Sequence, residues 1–290
     1  MKTFSYHKPE TLDEAITLLH AHGENASILA GGTDLLVQLK KRERTVAHVV
    51  DIKAIPALDE IMVGKGGEIY LGSLVTMQAL SESRVLRGGA MILAEAASKL
   101  GSFQIGNRAT IGGNICNSSP SGETLTPLLC LDARFRLVGV KGERVILAED
   151  FFVEAGKNVC GNEELLTQII LPPLPLDFIG VYMKHSLRNA VDLALVSVAV
   201  LGSFDRSRQL FRDIRIGLGA VAPTPIRARK AENTLVGVEM SENLIKEAAV
   251  AASEDAQPIS DIRASKWYRT EMVRHFVPVA LEELMRRSVD

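Results

Sequence analysis

Two short segments of this 290-residue sequence pair glycines with a hydroxyl side chain, and both could hold a phosphate. The first is Ala30-Gly31-Gly32-Thr33-Asp34-Leu35. Its glycines let the backbone approach a ligand closely. A helix starting behind them aims free N–H groups and its positive dipole end at the same spot. Thr33 adds a hydroxyl donor, whereas Asp34 reads as a helix-start residue, since its charge would repel an anion. The second segment is Asn107-Arg108-Ala109-Thr110-Ile111-Gly112-Gly113-Asn114-Ile115, which repeats the formula of small residue, hydroxyl and glycine pair. Two such turns could grip the halves of a pyrophosphate through backbone amides, with little need for basic charge. Each alone is also what an ordinary loop contains. No G-x-G-x-x-G opens a helix and no G-x-x-x-x-G-K-[ST] occurs, so Rossmann and P-loop readings lose their usual support.

The elements that must position these turns follow from periodicity. Thr11-Leu12-Asp13-Glu14 is a capping box, and Leu12, Ala15, Ile16 and Leu19 predict a helix over about 12–22, stopped by Gly23 and Asn25. Ile28 to Ala30 is a short buried strand, Leu35 to Lys41 a helix and Val46 to Asp51 a second strand, which together form a small α/β unit. From 55 onward the texture changes. Ile69 to Gly72 reads as a strand, and Thr76–Ser81, Met91–Leu100 and Glu123–Leu131 as helices. The stretch from Gly101 to Gly113 holds little that could sustain a helix. Ala133–Val140 and Arg144–Leu147 form a hairpin around Lys141-Gly142, and Leu165 to Leu171 is a strand ended by Pro172-Pro173. That double proline marks the best domain boundary. Beyond it come three strands, Ile179–His185, Leu193–Phe204 and Leu210–Leu218, with turns at Arg188-Asn189 and Asp205 to Gln209. Helices follow over about 226–236, 241–255 and 265–289. The last carries Trp267, Val273, Phe276, Val277, Ala280, Leu281 and Leu284 on one face, with Pro278 as its expected kink. The fold class is α+β, in three parts: 1–54, 55–174 and 175–290.

Composition narrows the function classes. A net charge of -2, a near-neutral pI and a single Trp give no basis for binding nucleic acid or an anionic membrane. Cys116, Cys130 and Cys160 are too few and too scattered for a disulfide framework, a zinc site or an iron–sulfur site. With no apolar leader and no apolar run near the roughly 20 residues of a bilayer span, a reducing cytoplasm is the expected setting.

With these features in place, the two glycine segments, Ser119-Pro120, the Leu128-Leu129-Cys130-Leu131-Asp132-Ala133 step and the stretch from Lys184 to Ala194 closely match one family. The whole chain resembles the FAD (medium) subunit of the xanthine dehydrogenase and carbon monoxide dehydrogenase family of molybdenum hydroxylases. The resemblance implies a two-subdomain FAD-binding fold of the vanillyl-alcohol-oxidase type, followed by a C-terminal domain of three-stranded antiparallel sheet plus helices. It implies that Leu29, Ala30, Gly31, Gly32, Thr33, Asp34 and Leu35, with Ala109, Thr110, Gly112, Gly113 and Asn114, cradle the FAD pyrophosphate. Leu100, Cys116 and Leu166 match positions near the flavin ring or the adenine. Lys184 matches a basic residue at the flavin edge, where a positive charge would stabilise the reduced anionic ring. Glu123 stands where many members carry Asp, keeping the charge with a longer reach. No cysteine insert is present to carry an additional cluster in this chain.

The implied role is electron transfer. A large partner bearing a molybdenum cofactor would oxidise the substrate, a small [2Fe–2S] partner would relay electrons singly, and FAD would pass them to NAD or another acceptor. The assembly expected is a dimer of heterotrimers. No catalytic residue and no metal ligand is assigned to this chain itself. Two alternatives stand beside this role: a self-contained FAD-dependent oxidase or reductase, and a non-catalytic scaffold that has lost its flavin. Bland readings also exist for single residues. Lys184 could be a surface lysine, Arg188 and Asp192 an exposed pair worth at most about 1 kcal/mol, Cys130 a core filler, and His20 and His22 solvated side chains facing different directions. His185 neighbours the implied flavin edge, but nothing requires an acid there.

Overall fold

The structure is a computed structural model that describes residues 2–188 and 191–288. It opens with a parallel three-stranded sheet in the order β1-β3-β2, made of β1 (Ser5–His7), β2 (Ala26–Leu29) and β3 (His48–Asp51). Helix α1 (Leu12–His22) begins where expected. Thr11 Oγ1 accepts from the Glu14 amide at 3.2 Å, and Glu14 reaches back to the Glu10 amide at 2.9 Å. Ala15 and Leu19 bury one face of α1 against Val50 and Ile52. The first glycine segment joins β2 to α2 (Leu35–Lys41). Strand β1 escapes sequence reading because three residues leave no periodicity to detect. His20 and His22 do face apart, but only His20 behaves as a solvated side chain, meeting Glu163 on the surface at 2.9 Å. His22 instead stacks on His48, with ring centroids 3.5 Å apart.

The second sheet is antiparallel and five-stranded. Its strands are β4 (Ile61–Val63), β5 (Ile69–Gly72), β6 (Arg134–Gly139), β7 (Gly142–Leu147) and, after the small ribbon β8 (Phe152–Glu154) and β9 (Lys157–Asn158), β10 (Glu164–Leu171). The order β4-β5-β10-β6-β7 places the latest strand at the centre. Between β5 and β6 run five short helices: α3 (Met77–Ser81), α4 (Met91–Ser98), α5 (Phe103–Gly106), α6 (Ile111–Asn117) and α7 (Leu125–Cys130); α8 (Ala148–Phe151) follows β7. The expectation that Gly101 to Gly113 lacks helix is corrected here. Ser102 and Thr110 cap α5 and α6, and Ile111 and Ile115 are fully buried. That burial outweighs the roughly 1 kcal/mol that each glycine costs in a helix interior.

The C-terminal sheet comprises β11 (Ile179–His185), β12 (Val196–Asp205) and β13 (Leu210–Gly219), as expected, plus a two-residue edge strand, β14 (Ile226–Arg227). The expected turn at Arg188-Asn189 falls partly outside the described residues, as do Asn189 and Ala190 of the family-like stretch. Strand β12 is buried on both faces, which explains its near-continuous apolar run. Val198 and Val200 face α9 (Arg229–Leu235), α10 (Glu242–Asp255) and α11 (Lys266–Arg287), while Ala199 and Leu201 face the helices of the preceding sheet. Helix α11 runs through Pro278 and buries Val273, Val277, Ala280, Leu281 and Leu284, with Phe276 partly covered. Trp267 does not join that face and is 71% exposed. At about 100° per residue it lies a quarter turn from the stripe.

Candidate cofactor site

The two glycine segments meet. Gly31 packs so tightly on the second that a Cβ there would fall 1.9 Å from the Arg108 carbonyl oxygen, with the Ala109 Cα at 3.1 Å. Gly112 is constrained too, though less severely: its amide donates to Ser73 O at 2.9 Å, and a Cβ would lie 2.6 Å from that oxygen. Around this junction opens a cleft of about 1190 Å³, lined from the first turn by Ala30 to Leu35 and from the second by Ala109, Thr110, Gly112, Gly113 and Asn114. It exceeds the range of roughly 300–1,000 Å³ typical of small-molecule sites, as a dinucleotide requires.

The turns offer different donors. Within the described residues no hydrogen bond occupies the backbone N–H groups of Gly32, Thr33 or Asp34. Asp34 takes the position before α2 but makes no capping bond, and its Oδ2 is 3.4 Å from the Thr33 hydroxyl. The second turn departs from the expected amide cradle. Ile111 N–H donates to Val75 O, Gly112 N–H to Ser73 O, Gly113 N–H to Thr110 Oγ1 and Asn114 N–H to Thr110 O. What it presents instead are side chains. The Thr110 hydroxyl accepts from Gly113 at 3.1 Å and keeps its proton to donate. Asn114 Oδ1 accepts from the Thr124 hydroxyl at 2.6 Å, which leaves the Asn114 amide N–H₂ to donate.

Leu100, Cys116, Leu166 and Glu123 also line the cleft. Leu29 does not; it belongs to the core beneath the first turn, with Leu39 and Val49. Lys184 stands one side chain behind the wall. Its Nζ donates to Glu123 Oε1 at 2.8 Å and to Lys99 O at 3.1 Å, and both members of the ion pair are more than nine-tenths buried. The surface-lysine reading of Lys184 therefore fails. Burial pushes the Glu123 carboxyl above its ordinary value, Lys184 pulls it back, and the Asp34 charge adds a further upward push. Lys184 reaches this place from β11, on the same strand face as Tyr182.

Three arginines absent from the sequence-level site, Arg44, Arg188 and Arg263, line the cleft and offset its acidic groups. Isolated arginines in three distant segments carry no local signature. Cys160 also lines it, and its proximity together with burial holds the Cys116 thiol well above its ordinary value. Cys130 is remote and fully buried, its thiol pushed up by burial to about 12, as befits a core filler. His185 bonds to the Tyr268 hydroxyl at 2.9 Å and is not part of the cleft.

Residues 2–174 match the family described as the FAD binding domain in molybdopterin dehydrogenase, and residues 181–284 match the CO dehydrogenase flavoprotein C-terminal domain. The chain belongs to this FAD-binding subunit family. Among its relatives, the xanthine dehydrogenase FAD-binding subunit of Escherichia coli O157:H7 is 32% identical, over 96% of this chain and 95% of that one. The carbon monoxide dehydrogenase medium chain of Hydrogenophaga pseudoflava is 31% identical, covering 98% of both chains. A solved structure of the carbon monoxide dehydrogenase from that organism, lacking the Mo-pyranopterin moiety of its molybdenum cofactor, superposes with a TM-score of 0.95 over 99% of each chain at 31% identity. As a member of the FAD-binding family, the chain is an oxidoreductase subunit of the xanthine and carbon monoxide dehydrogenase type. No helix among the described residues is long and apolar enough to cross a membrane.

Proposed function

We propose that this chain accepts electrons singly from a small [2Fe–2S] partner and delivers them in pairs to NAD or another acceptor, while a large molybdenum-cofactor partner oxidises the substrate. The observation that carries the cofactor half of this reading is the set of unengaged amides from Gly32 to Asp34, facing a cleft of dinucleotide size. In this reading the first turn binds the FAD pyrophosphate through those amides, and Thr110 and Asn114 bind it through side chains. Leu100, Cys116 and Leu166 flank the rings. Bound FAD supplies the exchange between one-electron and two-electron chemistry. Glu123 and Lys184 act as a buried pair: the carboxylate contacts the cofactor and the ammonium sets the local potential behind it. The order of the three sheets supports a division at 54/55 and 174/175. We place the assembly in the cytoplasm as a dimer of heterotrimers.

The test is co-expression with a large molybdenum-cofactor subunit and a small [2Fe–2S] subunit, followed by anaerobic stopped-flow reduction. The chain alone should show a flavin spectrum, release FAD and contain no iron, and the flavin should bleach with NADH. Rapid bleaching by substrate should require both partners. A colourless chain that cannot be reconstituted with FAD overturns the cofactor reading. Substrate oxidation by the isolated chain would favour a self-contained enzyme.

A further inference from the structure

Three histidines gather on the N-terminal sheet, and none of them lines the cofactor cleft. His7 ends β1, His22 closes the last turn of α1 and His48 opens β3. The parallel register sets Ser5 opposite His48 and His7 opposite Val50, so the two strand histidines share one face of the sheet. His7 Nε2 lies 3.0 Å from His48 Nδ1. Helix α1 lays the His22 ring over His48, with planes 8° apart. One ring nitrogen from each residue falls within 4.8 Å of the other two, and all three side chains are half-buried, leaving an approach from solvent.

We propose that His7, His22 and His48 bind one divalent first-row transition ion, Zn²⁺ being the best matched. An all-imidazole set suits zinc, nickel or copper and not magnesium or calcium, which take oxygen ligands. Zinc–nitrogen bonds of about 2.0–2.1 Å in a tetrahedron hold the nitrogens about 3.4 Å apart. The His7–His48 pair, at 3.0 Å, needs to open slightly and the other pairs to close by at most about 1.4 Å, which rotation of the His22 ring off its stack provides. A water completes the fourth position. Such an ion ties β1, α1 and β3 together outside the cofactor cleft. Its effect is on the stability of the N-terminal sheet, and the visible spectrum should not change.

The test uses the FAD-loaded chain without an affinity tag, stripped with a chelator and titrated with ZnCl₂ against a chromogenic competitor at pH 7.5. One tight equivalent per chain is expected, with a rise in the unfolding temperature and an unchanged flavin spectrum. His22→Gln should weaken binding by about thirtyfold or more, whereas His20→Gln, on the same helix end, should leave it intact. His7→Gln provides a second probe should His22→Gln fail to fold. The proposal is overturned by absence of a tight equivalent, or by its retention in either folded variant. Loss of the equivalent in Cys116→Ser or Cys160→Ser would overturn it too, moving the ion to the thiols.

Discussion

A methyl group on Gly31 would sit 1.9 Å from the Arg108 carbonyl oxygen, so Gly31→Ala must part the two turns before it can fold. The expected outcome is a chain that folds but holds at least about tenfold less FAD, roughly 1.4 kcal/mol of binding, measured as released flavin per protein. Lys184→Met leaves the Glu123 carboxylate buried without its counter-charge and should cost about 3 kcal/mol in urea unfolding. Adding Glu123→Gln should restore most of that loss, and a double variant no more stable than Lys184→Met would refute the pairing. The raised Glu123 carboxyl means that the folded chain holds this proton more tightly than the unfolded one. Its contribution to stability is therefore full below about pH 4.5 and declines as pH rises through the folded value. At this scale the glycines were legible because their chemistry is local. The engagement of the second turn's amides by Ser73 and Val75 was not, since those partners lie more than thirty residues upstream.

Elements were legible wherever periodicity and caps agree, as in α1 and α10. They were lost where burial overrides propensity, as in α6 through Gly112 and Gly113, or where a strand is too short to show a pattern, as in β1. Trp267 illustrates a third cause: an apolar residue in the first turn of α11 counts toward the helix pattern without reaching the core. As the only Trp, it should give the red-shifted emission of a solvated indole, fully accessible to iodide; a blue-shifted, protected signal would return it to the buried face. Just before that helix, Asp261 takes hydrogen bonds from the Ala264 and Arg263 amides and from Arg269, whose guanidinium also caps the Leu195 and Ala220 carbonyls. Partial burial works to raise the Asp261 carboxyl, but these donors outweigh it and hold it down to about 2. A depressed carboxylate stabilises above its unfolded value, near 4, and that contribution disappears as pH falls through about 2. Asp261→Asn should flatten the fall in unfolding temperature between pH 4 and pH 2, and an unaltered slope would remove the residue from the acid response.

At the scale of the molecule, the cleft takes its walls from segments spread along the chain, from Leu19 to Arg263. The C-terminal sheet joins the rest through the Ala199 and Leu201 face of β12 and through Arg227. That guanidinium pairs with Glu232 at 2.6 Å and reaches the Leu129 carbonyl at 3.2 Å. The double proline at 172–173 was readable as a break, but the interlocking across it was not, because β12 reads only as apolar and gives no sign of which partner each face takes. The position of β10 bears on how the chain is made. Strands β5 and β6 both wait for it, and it leaves the ribosome about a hundred residues after β5. During synthesis two sheet edges therefore stay open until residue 171 has emerged, and no nascent fragment shorter than that can complete the wall that carries Leu166. Cofactor loading is thus a late event in the life of each chain, and the interval before it is when the protein is most dependent on chaperones.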